Sequence, residues 1–164
     1  MMNRNVLRLS FQALFLMAFS VLTGCTSHSV PSHYSLAFRH PSQINHGAPL
    51  KVRVLLLRSD ADFLSADFYS LQNKTGALLG GALLNSEQLF LMPGKSADTL
   101  SGPLSAEARY IGVLAEYQSL DGKKWRLALP LPSGADASTI WQQTDSLLQA
   151  TLIANDSGLL AVSH

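Results

Sequence analysis

The fold is decided by residues 109–131, which read RYIGVLAEYQSLDGKKWRLALPL. Residues 109–117 are rich in aliphatic and aromatic side chains, so they predict the strongest strand of the chain, in a central position of its sheet. Asp121 and Gly122 predict the hairpin turn that follows, because this pair readily adopts positive φ. Residues 124–131 predict the returning strand. The hairpin therefore indicates antiparallel β-sheet.

The returning strand has one apolar face. Trp125, Leu127 and Leu129 alternate with Arg126 and Ala128, so the first three side chains are predicted to share a face. An aromatic side chain in that position favours burial. We therefore expect Trp125 to belong to the core.

A second strand is predicted at residues 50–57, LKVRVLLL. Its first half alternates, which places Lys51 and Arg53 on one face and the intervening valines on the other. The leucines at 55–57 break the alternation, so we expect that half to be buried on both faces beneath another element.

The remaining strands are short and separated by turn residues. Together with the three already described they make seven or eight strands, which is typical of a mainly β antiparallel sandwich. The further segments are residues 34–38, 88–92, 99–104, 147–153 and 158–162. Pro103 restricts residues 99–104 to the edge of a sheet.

One added helix is predicted between the second and third strands. Ser59 is in position to cap it and Asp62 has the spacing of a capping box. Residues 63–71 have apolar side chains at helical spacing, and Gly76 is expected to end the helix. For residues 77–84 both a short helix and an irregular packed segment are compatible with the sequence.

The N-terminus has the pattern of an export signal. Arg4 and Arg8 precede an apolar run at residues 11–22, which is shorter than the roughly 20 residues that span a bilayer. Residues 22–25, LTGC, resemble the bacterial lipobox, which is cleaved before the cysteine and lipidated on it. An ordinary secretory signal and a signal anchor are the alternatives. We predict lipidation at Cys25.

This boundary divides the chain into a signal peptide at 1–24, a lipidated tether at 25–33 and a sandwich domain at 34–164. Because Cys25 is the one cysteine, the domain forms no disulfide. The mature chain has near-balanced charge, which argues against a nucleic-acid partner. Thr26, in place of the aspartate that commonly retains lipoproteins in the inner membrane, favours the periplasmic face of the outer membrane.

No pattern in the sequence predicts catalysis, a metal or a cofactor. The spacing of the histidines matches no compact ligand motif; they are His28, His33, His40, His46 and His164. Asp60, Asp62 and Asp67 lack the glycine and glutamate of a calcium loop, and helix capping is the better interpretation of the first two. Nucleophile elbows and phosphate-binding glycine loops are also missing.

Several segments resemble one family in a characteristic order. They are residues 52–71 (VRVLLLRSDADFLSADFYSL), 91–94 (LMPG), 110–117 (YIGVLAEY) and 125–126 (WR). With the lipobox, this order resembles the type VI secretion outer-membrane lipoproteins of the TssJ (SciN) family, over most of the mature chain. The leucines at 55 and 56 depart from it, since the family more often has a tyrosine and a polar residue there.

The resemblance implies a transthyretin-like sandwich with an added helix. It also implies binding to the periplasmic C-terminal region of TssM, an inner-membrane protein, in a complex that contains TssL. The family's loop between the first two strands is implicated in that contact. The corresponding residues here are His40, Pro41, Ser42, Gln43, Ile44, Asn45, His46 and Gly47.

Within this loop Ile44 is the apolar side chain, and two positions are open to it. If the loop projects, Ile44 is exposed and its burial on binding contributes about 1.5–3 kcal/mol. Alternatively, Ile44 folds back onto the edge of the sandwich. The sequence leaves both open.

The leading functional hypothesis is a non-catalytic anchor, with lipid on Cys25 in the outer membrane and the sandwich bound to TssM. A transthyretin-like hydrolase is a weaker alternative, because the histidines lie outside the strands. A carbohydrate- or peptidoglycan-binding lipoprotein requires an exposed aromatic platform. Trp141 with Tyr117 is the candidate pair, and burial of both would remove that alternative.

Overall fold

The computed structural model describes residues 30–133 and 139–163. The signal segment, Cys25, Thr26, His28 and His164 lie outside this part, so the predictions on them stay predictions. The described chain contains nine strands: β1 His33–Arg39, β2 Leu50–Leu57, β3 Leu83–Leu91, β4 Ala97–Pro103, β5 Tyr110–Glu116, β6 Arg126–Pro130, β7 Gln142–Thr144, β8 Leu147–Asn155 and β9 Gly158–Ala161.

These strands form two sheets, and the predicted mainly β sandwich is confirmed. The first sheet has the order β4-β1-β8-β7 with β9 also paired to β8, and the second has the order β3-β2-β5-β6. The three-residue strand β7 is too short to have been recognised from its pattern. One pair departs from the antiparallel expectation, because β1 and β8 run parallel. A parallel pair needs no hairpin, and these two strands are far apart in sequence.

The second strand is buried on both faces, as its leucines predicted. Val52, Val54 and Leu56 belong to the core between the sheets. Leu55 and Leu57 point the other way and pack in a second apolar cluster with the helices. The sandwich is thus a three-layer structure in which the helices cover the outer face of the β3-β2-β5-β6 sheet.

The helical insert consists of two helices, α1 Ala61–Ser65 and α2 Phe68–Leu79. The predicted single helix over 63–71 was wrong at Ala66, which is extended. Asp67 caps α2, because its Oδ1 accepts a hydrogen bond from Ser70 N at 2.9 Å. The bonds from Ser70 lower the pKa of the Asp67 carboxyl below its usual value.

The capping prediction at the start of the insert was right in part. Ser59 Oγ accepts from Ala61 N at 3.3 Å, whereas Asp60 occupies the cap position without a side-chain bond. The apolar face also differs, because Leu64 is exposed and Phe63 is buried. The break before α2 rotates the second helix relative to the first, so a single helical period does not describe both.

The predicted helix end at Gly76 was wrong, because the helix is only kinked two residues before it. Lys74 has non-helical angles of φ −133° and ψ 28°, and α2 then continues to Leu79. Gly80, at φ +46°, ends it, and a 3-10 turn at Gly80–Ala82 leads into β3. Residues 77–84 are therefore the helix end, this turn and the first residues of the strand.

The hairpin over 109–131 is present, with β5 between β2 and β6 in its sheet. Gly122 has the expected positive φ of +65°. Leu127 and Leu129 are buried in the core, but Trp125 is only partly buried. Its ring packs edge-on against Phe68 of α2 at 5.2 Å between centroids. Trp125 therefore joins the sheet to the helices.

Arg53 of β2 and Glu116 of β5 form a buried ion pair that is hydrogen bonded to α2. Arg53 Nε lies 3.0 Å from Glu116 Oε1, and both side chains are about nine-tenths buried, with 11% and 9% exposed. Arg53 also donates to Thr75 Oγ1 at 2.6 Å and to the Leu71 carbonyl at 2.8 Å. Gln72 Nε2 donates to Glu116 Oε2 at 2.8 Å. The predicted outward face of β2 is thus covered by helix.

The two sheets are joined on one side of the sandwich by a backbone bridge between the β5–β6 and β8–β9 connections. Lys124 N donates to the Ser157 carbonyl at 3.0 Å, and Leu159 N donates to the Lys124 carbonyl at 2.7 Å. Gly158 lies between these bonds at φ +109°. The close approach leaves no space for a side chain there.

The first strand separates the tether from the predicted binding loop. Ser32, which precedes β1, is hydrogen bonded through its backbone to Ser146 and Leu104. The loop of residues 40–49 follows the other end of β1. Because β1 has seven residues, its two ends are roughly 20 Å apart. β4 and β8 flank β1 along its whole length. Among the described residues, no helix is long and apolar enough to cross a bilayer.

Candidate partner-binding loop

The loop after β1 is folded against the sandwich, and of the two positions open to Ile44 the structure has the buried one. Ile44 is 0% exposed and belongs to the core between the sheets. It begins a 3-10 turn, Ile44–Gly47, and its N–H donates to the Pro41 carbonyl at 3.2 Å. Burial of the one large aliphatic side chain in an otherwise polar loop fixes the loop to the core. Ile44 is therefore an internal anchor.

His40 holds the start of the loop. Its side chain is fully buried and lies within hydrogen-bond distance of two acceptors. Nδ1 is 3.2 Å from the Pro41 carbonyl, and Nε2 is 3.3 Å from Asp98 Oδ2 on β4. Asp98 also pairs with Lys95 Nζ at 3.3 Å. His40, predicted as a contact residue, is thus a structural group beneath the surface.

Asn45 holds the end of the loop. Its side chain is buried, with Nδ2 donating to the Pro49 carbonyl at 3.1 Å and Oδ1 accepting from Gln118 N at 2.9 Å. The backbone here is left-handed over three consecutive residues, with φ of +52° at Asn45, +58° at His46 and +82° at Gly47. Such a run is unusual outside glycine and is held by its surroundings. The turn is therefore preorganised.

The solvent-facing part of the loop is polar. The predicted contact residues that remain exposed are Pro41, Ser42, Gln43, His46 and Gly47. They offer an amide, a hydroxyl and an imidazole, which suits hydrogen bonding to a protein surface. The prolines and the buried side chains already restrict the loop, so the loop loses less conformational entropy when a partner binds.

A neighbouring turn, which no sequence pattern connects with the loop, extends this surface. Gly94 N donates to the Ser42 carbonyl at 2.9 Å, which joins the β3–β4 turn to the loop. Met92 in this turn is 41% exposed. Lys95 lies beside it. The Pro93-Gly94 pair predicted the turn, but its position beside the loop depends on the pairing of distant strands.

Within residues 30–133 and 139–163, no three His, Cys, Asp or Glu side chains are grouped as metal ligands. His33 lies at the start of β1 and His40 and His46 lie in the loop, so the described histidines do not converge.

The aromatic platform required for a carbohydrate site is not formed by the predicted pair. Trp141 is 8% exposed and its Nε1 donates to the Pro130 carbonyl at 2.7 Å. Tyr117 is buried as well, and burial, followed by the charge of Asp156, raises the pKa of its hydroxyl. Both rings of the candidate pair are buried, which removes the carbohydrate-binding alternative that required them to be exposed.

Residues 34–151 match the T6SS-SciN family model, described as type VI secretion lipoprotein, VasD, EvfM, TssJ. The chain belongs to this family of type VI secretion lipoproteins. The resemblance found in the sequence is thereby confirmed. A comparison with curated protein sequences finds no match.

Solved structures of type VI secretion lipoproteins have the same fold. Lip from Serratia marcescens, described as a membrane-bound component of the type VI secretion system, is 50% identical, with a TM-score of 0.73 over 82% of this chain and 99% of that one. TssJ1 from Pseudomonas aeruginosa is 23% identical, with a TM-score of 0.65 over 82% and 97%. A chain in the structure described as the TssM C-terminal domain (869-1107) from EAEC is 21% identical, with a TM-score of 0.56 over 81% and 99%.

Proposed function

We propose that this lipoprotein is a non-catalytic anchor of the type VI secretion membrane complex. Lipid on Cys25 attaches it to the periplasmic face of the outer membrane, and the preorganised loop after β1 binds the periplasmic part of TssM. The observation that carries the proposal is the fixed polar surface at the end of β1 opposite the tether. One end of the domain thus serves the membrane and the other serves the partner.

Lipid is a sufficient anchor for this chain. The mature sequence has nearly balanced charge, so electrostatic attraction to anionic lipid contributes little. One acyl chain gives marginal binding, whereas two or more give stable attachment. The tether between Cys25 and β1 is about seven residues, which reaches roughly 25 Å when extended. The domain therefore stays close to the membrane while its loop points away.

Two comparisons support a TssM-type partner. The family is that of type VI secretion lipoproteins, and a chain of this fold is present in the structure described as the TssM C-terminal domain. In addition, the exposed loop and the adjoining β3–β4 turn form one continuous surface through the bond between Gly94 and Ser42. A contact of ordinary size buries about 800 Å² on each side, which such an end surface can supply. TssL joins the complex indirectly in this proposal.

The loop is tested by removing its exposed side chains and leaving its buried anchors intact. Gln43→Ala with His46→Ala is expected to weaken binding of the full chain to the periplasmic part of TssM by at least about tenfold, because central polar contacts are lost. Calorimetry measures the affinity. The matched control is Gln142→Ala with Thr144→Ala, two exposed residues of β7 at the other end of the sheet. Equal affinities for both double variants would place the contact elsewhere.

The anchor is tested separately at Cys25. Cys25→Ser removes both the acylated thiol and the residue at which the lipobox is cleaved, so we expect the protein to leave the outer-membrane fraction. Binding to TssM in solution is expected to stay within about twofold of the original value, since the loop is unchanged. Fractionation with immunoblotting measures the first effect. A variant that remained in the outer membrane would contradict lipid anchoring at this residue.

A further inference from the structure

The sandwich has an open side between the edges of its two sheets. β3 ends one sheet and β4 ends the other, and each pairs with one strand among the described residues. The opposite side is closed by the bridge between Lys124 and Gly158. β3 is the longer of the two free edges, with nine residues. A long free edge of this kind can accept an additional strand.

A carboxylate points inward at the middle of this edge. Glu87 is paired in register with Val54, whose side chain is in the core between the sheets. Residues directly opposite share a face, so Glu87 also lies on the inner face, although at the edge it stays exposed. It accepts a hydrogen bond of 3.4 Å from Asn85 on the same strand. An inward charge on an edge strand opposes pairing with most other strands.

A buried hydroxyl group lies in the same opening. Tyr34 of β1 is 0% exposed, and its hydroxyl has no hydrogen-bond partner among the described residues. The hydroxyl is beneath Gly102 of β4, where an added Cβ would lie 3.1 Å from it. Burial, followed by the charge of Glu87, raises the pKa of Tyr34. Glu87 on the inner face of β3 and the Tyr34 ring against Gly102 of β4 thus both lie on the open side of the sandwich.

The outer face of the same strand carries an apolar group. Phe90 is 48% exposed and is paired in register with Lys51 of β2. Phe90 is not among the residues of the apolar cluster that packs against the helices. The free edge thus presents a negative charge on one face and an aromatic ring on the other, three residues apart.

From these features we infer that β3 binds an extended segment of a partner protein by strand addition, and that this segment carries a lysine or arginine facing Glu87 and the Tyr34 hydroxyl. The backbone of the edge supplies affinity, and the charge supplies selectivity. An apolar side chain on the other face of the segment packs on Phe90. This site is separate from the loop after β1 and does not depend on it.

A second copy of this chain is a poor occupant of the edge. Two-fold antiparallel pairing of two β3 strands through their centres would bring the two Glu87 carboxylates together on one face. Like charges opposed in this way are destabilising. A basic residue in the same position instead forms a charge pair with Glu87. It also gives the buried Tyr34 hydroxyl a hydrogen-bond partner.

Three synthetic nine-residue peptides test the site. Each alternates threonine and valine, which favours the extended state, and each has lysine, glutamine or glutamate at the centre. They are added to the full chain in detergent micelles, and NMR measures both affinity and the protection of β3 amides from hydrogen exchange. We expect the lysine peptide to bind at least about tenfold more tightly than the glutamate peptide. We also expect it to protect amides within Leu83–Leu91.

Substitutions at Glu87 make the test specific. Glu87→Gln is expected to remove the preference for lysine, and Glu87→Lys is expected to reverse it. Asp62→Asn, at an exposed carboxylate on α1, is the matched control and should leave the preference intact. Tyr34→Phe keeps the ring and is expected to weaken the lysine peptide about threefold through the lost hydroxyl.

Three outcomes would overturn the inference. They are no protection of β3 by any peptide at millimolar concentration, protection at the β4 or β6 edge instead, and a lysine preference that survives Glu87→Gln. Unchanged affinity in Tyr34→Phe would contradict the place of the hydroxyl in the site. Failure of the loop variants to affect TssM binding would leave this result unchanged, so the two proposals are distinguishable.

Discussion

Glu116→Ala is expected to lower the free energy of unfolding by about 3–5 kcal/mol, because it leaves the Arg53 guanidinium buried without its counter-charge. The pair is 3.0 Å apart and nearly buried on both sides, beneath α2. Surface ion pairs contribute far less, since water screens them. Urea unfolding of the domain, followed by tryptophan fluorescence, measures the loss.

A double variant separates the charge from the packing. Arg53→Met with Glu116→Leu removes both charges and keeps apolar volume, so we expect it to unfold within about 1–2 kcal/mol of the original protein. Arg53→Met alone should cost less than Glu116→Ala, because Lys51 and Gln72 still contact the carboxylate. A double variant as unstable as Glu116→Ala would show that the pair acts through shape and hydrogen bonds to α2.

Gly158→Ala is expected to lower the free energy of unfolding by about 4 kcal/mol, the second of the two largest effects. An added Cβ would lie 2.7 Å from the carbonyl carbon of Lys124 and closer still to its nitrogen and oxygen. The obstacle is backbone, so no side chain can rotate away. The φ of +109° adds strain of its own. The bridge that closes this side of the sandwich has to open.

Gly122→Ala is the matched control for that substitution. Gly122 also has positive φ, at +65°, but nothing lies within 4 Å of an added Cβ. Only the backbone term remains, and it costs about 1 kcal/mol. Thermal unfolding of both variants compares them directly. Equal losses of unfolding free energy in the two variants would mean that the contact with Lys124 relaxes. Backbone strain from the positive φ would then be the main reason for glycine at 158.

Sequence patterns predicted the strands where one rule dominated. The hairpin over 109–131 followed from alternation and from Asp121-Gly122, and the double burial of the leucines in β2 followed from the loss of alternation. The helical insert was harder to predict, because its period changes at Ala66 and Asp67, where one residue leaves the helical region and the next caps a new helix. Local spacing does not encode that rotation.

The candidate loop shows the same limit. Its position, its prolines and its polarity were visible in the sequence, but Ile44 was compatible with two environments. The choice depends on His40 meeting Asp98 and on Asn45 meeting Gln118, which are 58 and 73 residues away along the chain. The free edge at Glu87 could not be predicted from the sequence for the same reason, because the order of strands in the sheet determines which strands lie at its edges. A local pattern carries no information on strand order.

The position of β1 determines how the domain responds to tension. In the proposed function, a pull between the lipid and a partner bound to the loop acts along β1, whose two ends lead to the tether and to the loop. Its hydrogen bonds to β4 and β8 lie across that direction on both sides. The force therefore loads all of these bonds together in shear and does not peel them one at a time. A strand held on both sides in this way resists extraction, so we expect the sandwich to stay folded when the envelope is stretched.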